Sequence, residues 1–102
     1  MIARAWHGAV KPADAEAYAD FLNRKGLNDY YATPGNRGVY VFRKISPERA
    51  DFLLITLWDS MDAIRAFAGP DPEKAVYYPD DDDFLLEFEP NVTHYEVLVA
   101  PK

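Results

Sequence analysis

The stretch Asp51-Phe-Leu-Leu-Ile-Thr-Leu-Trp-Asp-Ser-Met-Asp-Ala-Ile-Arg-Ala-Phe-Ala-Gly69 decides how this chain folds. Phe52 to Trp58 is an apolar run of strand length, with Ile55 and Thr56 β-branched. Ser60 then stands where an N-cap belongs, and Asp62 falls in the first helical turn, where negative charge is favourable. Met61, Ile64, Phe67 and Ala68 recur at helical spacing, and Gly69-Pro70 ends the helix. A buried strand therefore ends in a tryptophan and turns straight into a short helix.

Working outward gives the remaining elements. Val39 to Ile45 reads as a strand, and Ser46-Pro-Glu-Arg-Ala50 as a hairpin connection into Phe52–Trp58. Thr33-Pro-Gly-Asn-Arg-Gly38 is a turn rich in special backbone residues. Pro12 to about Tyr31 reads as a helix with proline in its first turn. Ala15, Tyr18, Ala19 and Leu22 share one face of it with Phe21 beside them, and Gly26 is a soft spot. Ile2 to Ala9 is a first strand and Thr93 to Ala100 a last one. Between the second helix and that strand, Asp71-Pro72 starts a short turn that Pro79 ends, and Asp80 to Pro90 is irregular. The order β-α-β-β-α-β is that of the ferredoxin-like α+β fold. It predicts an antiparallel sheet in the order 4-1-3-2 with both helices on one face. The same reading has the first and third strands running parallel.

Composition narrows the class. The chain has 102 residues and reads as a single domain, 1–102. Apolar residues make up 49% and aromatics 15%, too many for disorder. A net charge of −6 argues against nucleic acid. No run is long enough to span a membrane, the N-terminus lacks a secretory pattern, and a cytoplasmic protein is expected. With no cysteine, disulfides, thiolate metal sites and cysteine nucleophiles are excluded.

Alternation divides each strand between two faces. One set is small or aliphatic: Ala3 and Ala5, then Leu53, Ile55 and Leu57, then Tyr95, Val97 and Val99. The other mixes large aromatics with polar groups: Arg4 and Trp6, then Leu54, Thr56 and Trp58, then His94, Glu96 and Leu98. The aliphatic set is expected to pack on the helices. The mixed set, with Phe42, would then be an exposed apolar patch that a second copy covers. That predicts a homodimer whose two sheets enclose a cavity for a small hydrophobic or aromatic ligand.

Within such a cavity Trp6, Trp58 and His94 are expected at one end, with Thr56, Arg4 and Glu96 further in and Arg4 pairing with Glu96. Aromatic walls with a few convergent polar groups are the usual form of a small-molecule site. His94 is the available base, and His7, on the opposite face, carries little functional weight. No metal is expected. His94 and Glu96 lack a third ligand, and Asp80–Asp83 lacks the spacing of a calcium loop and reads as a solvated turn. Nucleotide-binding and nucleophile-elbow motifs are absent. Arg37, between Gly35 and Gly38, is read as part of a turn rather than an anion site.

Phe52–Gly69 and the segment Thr33-Pro-Gly-Asn-Arg-Gly-Val-Tyr-Val41 resemble the antibiotic biosynthesis monooxygenase family, and element order extends the resemblance over the whole chain. The resemblance implies a dimeric α+β barrel. The family includes cofactor-independent monooxygenases of aromatic substrates, quinol monooxygenases and haem-degrading enzymes. Its haem-degrading branch uses an asparagine on the first strand, a tryptophan ending the third, and a haem-ligating histidine in the next helix. Trp58 matches the tryptophan; the asparagine and the histidine are missing. The implied activity is cofactor-free oxidation of a phenol, quinol or anthrone-like substrate. His94 and Trp58 would be catalytic, and Trp6, Arg4, Thr56, Phe42 and Glu96 would line the substrate. The alternative is a non-catalytic dimeric binding protein of the same fold.

Overall fold

The computed structural model describes residues 1–101. Strand β1 is Ile2–Val10, β2 Asn36–Ile45, β3 Ala50–Trp58 and β4 Thr93–Glu96. They form one sheet in the order β2-β3-β1-β4, the predicted order read from the other edge. Every neighbouring pair is antiparallel, including β1 with β3, where Ile2 faces Trp58 and Val10 faces Ala50. The expected parallel pairing is therefore corrected. A helical crossover sets β1 and β2 parallel, and the hairpin sends β3 back between them.

The first helical segment runs without a break from Pro12 to Ala32, but its winding changes. A 3₁₀ turn, Pro12–Asp14, leads into α1 (Ala15–Phe21), a π turn (Leu22–Gly26) and α2 (Leu27–Ala32). Gly26 marks the end of the π turn rather than the end of the helix. Helix α3, Met61–Ala68, has the predicted bounds, and the Ser60 side chain accepts from the Ala63 N–H at 3.1 Å.

The core lies where the sequence reading did not put it. Tyr18, Phe21 and Leu22 from the helical layer pack with Phe52, Leu54, Trp6 and Val10. Trp58 lies against Phe67 and Tyr30. The helices thus cover the mixed face, and the aliphatic set is on the open side of the sheet. On that face Arg4, Thr56 and Trp58 find hydrogen-bond partners inside the chain, which lets the helices cover it. Gly8 contributes to the fit: the Trp6 indole lies across it, and a Cβ there would come within 2.3 Å of the ring.

The open face carries Ala3, Ala5, Leu53, Ile55 and Leu57, joined by Tyr40 (44% exposed) and Phe42 (49%) stacked on one another. Phe42 pairs across the ladder with Leu53, so it lies on the other side of the sheet from Trp6, Leu54 and Trp58. Strand β4 is also shorter than expected. Glu96 pairs with Ile2, the first residue of β1, so the ladder stops there apart from one bond from the Val97 N–H to the Met1 carbonyl. Leu98 and Val99 are 87% and 91% exposed.

The segment between α3 and β4 folds back on itself. The Ala75 N–H donates to the Pro90 carbonyl and the Val92 N–H to Glu73. A 3₁₀ helix, Pro79–Asp83, sits at its far end. This excursion closes the helix-side face beside Arg4. Among the described residues no helix is long and apolar enough to cross a membrane.

Candidate functional site

Antiparallel pairing lines up Val39, Thr56, Arg4 and His94 as one row across all four strands. Trp58 begins the next row, opposite Ile2, with Glu96 beyond it. Leu54 and Trp6 form the row on the other side. Arg4, Thr56, Trp58, Trp6 and His94 therefore share the helix-side face.

Arg4 is the unusual member. It is only 3% exposed, yet it has no carboxylate partner among the described residues. Its guanidinium donates to the carbonyls of Pro72 (3.2 Å) and Lys74 (2.8 Å) and lies 5.7 Å from the centre of the Phe67 ring. Burial lowers its pKa. The expected Arg4–Glu96 pair does not form, because Glu96 is exposed and one row away. Thr56 Oγ1 donates to the Arg4 carbonyl at 3.3 Å and accepts from Trp58 Nε1 at 2.8 Å. The Trp58 indole is fully buried and its N–H is already engaged inside the core.

His94 stands directly opposite Arg4. Its Nε2 is buried without a hydrogen-bond partner. Burial, assisted by the positive charge of Arg4, lowers its pKa against a smaller opposing effect of Glu73. A neutral imidazole has one donor and one acceptor nitrogen.

Two spaces open on this side of the sheet. An inner cavity lies between the π turn and the sheet, lined by Trp6, Leu54, Tyr18, Tyr30, Tyr78 and Asp81 among others. Its free room is about 20 Å³, enough for one or two waters. An outer groove of about 280 Å³ runs between α2 and α3, lined by Ala32, Thr33, Ala66 and Phe67. Val76 and Tyr78 border both, so they form the partition between them. The Tyr78 hydroxyl donates to Asp29 on α2 at 2.6 Å and holds that partition in place.

Asp81 is the site residue that sequence reasoning missed. It was expected in a solvated acidic turn, but it is buried at the cavity wall. It accepts from the Tyr18 hydroxyl at 3.1 Å and from the Tyr78 N–H at 2.7 Å. Burial raises its pKa, and burial likewise raises Tyr18 well above the ordinary tyrosine range. Tyr30 is pushed up to about 12 by burial, with the charge of Arg4 opposing. Four successive aspartates gave no sign of which one turns inward. The proline ahead of them, which starts the 3₁₀ turn, was the only clue.

His7 is on the open face. One ring nitrogen contacts Asp51 at 2.9 Å and the other contacts Glu89, while Arg49 bridges Asp51 and Glu87. His7, Glu87 and Glu89 converge enough to hold a cation, but both imidazole nitrogens are already engaged by carboxylates. Arg37, expected in a turn, instead lies in β2 at the bulge between Asn36 and Gly38 and makes a two-point contact with Asp59, at 2.6 and 3.0 Å.

The fold is the ferredoxin-like α+β arrangement, a four-stranded antiparallel sheet with its helices on one face. No family model matches the chain, and no curated protein matches it. Solved structures do. A protein of unknown function from Nitrosomonas europaea, NE2512, superposes with a TM-score of 0.68 at 21% identity, over 99% of this chain and 92% of that one. An arginine-to-serine variant of MhuD, with two manganese protoporphyrin IX molecules bound per active site, superposes with a TM-score of 0.63 at 18% identity. That match covers 100% of this chain and 99% of MhuD. At these identities the likeness is one of fold.

Proposed function

We propose that the chain is a homodimeric, cofactor-independent monooxygenase of a small aromatic substrate, a phenol, quinol or anthrone-like molecule, bound on the helix-side face of the sheet. The observation that carries this reading is the unpartnered His94 Nε2 opposite the buried Arg4, on the same face of the sheet as an aromatic-lined cavity and groove, although neither residue lines those two spaces. A substrate binds in the outer groove, whose volume is close to that of ordinary ligand sites.

The chemistry balances without a cofactor. His94 Nε2 takes the phenolic proton. The resulting anion gives one electron to dioxygen, and the radical pair couples through carbon to a hydroperoxide. Loss of water breaks the C–H and O–O bonds and leaves a carbonyl, so a CH₂ group and O₂ become C=O and H₂O. Trp58, fully buried with its N–H committed to Thr56, lines neither space and acts from behind, packed against Phe67 and Tyr30.

The porphyrin of the MhuD structure does not fit the residues present. Helix α3 holds no histidine, and of the two histidines in the chain His7 is on the opposite face and engaged at both nitrogens. The inner cavity has room for waters, not a macrocycle.

The dimer follows from the open face. Tyr40, Phe42 and Leu53 give that face a half-exposed apolar patch of the kind interaction surfaces carry. A second copy laid on that face covers them.

The test is oxygen uptake with naphthol, anthrone and quinol substrates, followed by His94→Ala. Turnover that falls about a hundredfold in the variant supports the base role. Turnover unchanged in folded His94→Ala overturns it. Binding of these aromatics without oxygen uptake identifies a ligand-binding protein instead.

A further inference from the structure

His7, on the open side of the sheet, has a carboxylate at each ring nitrogen. Asp51 lies 2.9 Å from Nε2, and Glu89 lies against Nδ1. Glu87 brings a third carboxylate. One ligand atom each from His7, Glu87 and Glu89 all fall within 4.8 Å of one another. Strand β1 carries His7 and its neighbour β3 carries Asp51. The two glutamates come from the segment before β4, which pairs antiparallel with the end of β1 through Val10 and Leu85. There the Leu86 N–H donates to the Ala9 carbonyl at 2.8 Å, and the Tyr77 hydroxyl donates to the Glu89 carbonyl, so the backbone on both sides of Glu87 is anchored. Phe88 packs edge-on against Tyr77, and the glutamates flanking it converge on His7. Arg49 ties Asp51, at 2.9 Å, to Glu87, at 3.2 Å. Three carboxylates thus face one arginine around the imidazole, and Lys44, opposite Asp51 in the ladder, makes no ion pair among the described residues. The side chains of His7, Glu89 and Glu87 are 31%, 43% and 50% exposed, so the cluster is open to solvent and to an ion arriving from it.

We infer that His7, Glu87 and Glu89 form a binding site for a divalent transition-metal ion of the zinc type, with Asp51 orienting the imidazole. A metal-ligating histidine ordinarily donates its other ring N–H to a carboxylate, which fixes the tautomer and the ring. The Asp51 contact at Nε2 supplies that second partner and leaves the Nδ1 lone pair directed at the glutamates. The ion takes the place between Nδ1 and Glu89, and the proton held there leaves to solvent. The half-exposed glutamates are free to draw in to bonds of about 2.0–2.2 Å, and water completes the coordination. One imidazole nitrogen with two carboxylates suits zinc and its neighbours, whereas calcium and magnesium take oxygen ligands. The site is on the opposite face of the sheet from His94 and does not depend on the proposed oxidation. It stands at the β1 margin, two strands from the stacked Tyr40 and Phe42 on β2. The sequence reading expected no metal because 82 positions separate His7 from Glu89.

The test titrates zinc chloride into the full, untagged, chelator-treated chain, followed by calorimetry and by nitrogen NMR of the imidazoles. The chain has only two histidines, so each ring is read separately and on the unaltered protein. Saturable binding is expected, with the Nδ1 signal of His7 moving, its Nε2 still protonated, and the His94 signals unchanged. Calcium and magnesium at the same concentrations are expected not to bind. His7→Gln and Glu89→Gln, checked for folding by circular dichroism, should each weaken zinc by about ten- to a hundredfold or more. No saturable zinc binding at millimolar concentration overturns the inference. So does zinc that moves the His94 signals instead, or that lands on Nε2 of His7. Calcium or magnesium bound as tightly as zinc overturns the metal class. A folded His7→Gln that keeps full zinc affinity overturns the ligand set.

Discussion

The Tyr18 hydroxyl donates to Asp81 Oδ1 at 3.1 Å, joining the first helix to the segment before the last strand across 63 positions of sequence. Both groups are buried, so each satisfies the other. Asp81→Ala leaves a buried hydroxyl and the Tyr78 N–H without an acceptor, which costs about 1–3 kcal/mol per unsatisfied group. Urea unfolding of the variant should show a loss of about 2–6 kcal/mol for the two groups together. No change would mean that Tyr18 finds water instead.

Asp81 also sets a pH dependence. Its pKa is raised by burial, so the folded state holds this proton more firmly than the unfolded chain does. Its contribution is complete below the ordinary carboxylate pKa of about 4 and is lost as pH rises through the higher folded value. The stability of the wild-type protein relative to Asp81→Asn should therefore fall as pH rises through that window. A difference that is flat with pH would contradict this.

His7 adds a second window on the opposite face. Burial lowers its pKa, but contacts with Glu89 and Asp51 outweigh burial and raise it overall. The stabilisation is fully present below about pH 6.5 and disappears as pH rises through the raised folded value. Thermal melts should show a decline across that window, and His7→Gln should flatten it. A variant with the same slope as wild type would remove His7 as the cause.

Replacing Leu53 by Glu puts a charge at the centre of the open sheet face, opposite Phe42. Sedimentation should show monomer or aggregate for the variant and dimer for the wild-type chain. A stable, folded wild-type monomer at micromolar concentration would refute the homodimer.

Trp58→Phe keeps an aromatic ring between Phe67 and Tyr30 but deletes the N–H that Thr56 accepts. Loss of that bond should cost about 1 kcal/mol, and Trp58→Ala about 3–5 kcal/mol. Urea midpoints of the two variants check the order. A fully stable Trp58→Ala would show that the indole does not hold the core.

Much was legible from residues close in sequence. Ser60 and Gly69 bound the second helix because capping is a local matter of side chain and backbone. Alternation correctly sorted Arg4, Trp6, Thr56 and Trp58 onto one face, because a strand's period depends on nothing beyond the strand. Which of the two faces the helices cover was decided only in three dimensions. Arg4 reads as the ion-pair partner of Glu96 until carbonyls about 70 positions away, at Pro72 and Lys74, meet its guanidinium. Asp81 looks like its exposed neighbours until Tyr18 reaches it from the first helix. The last strand stops at Glu96 because β1 begins at Ile2, a limit set by the partner strand and not by the sequence of Val97 to Ala100. Period and caps are properties of a few adjacent residues. The satisfaction of a buried charge depends on groups that only the folded chain brings together.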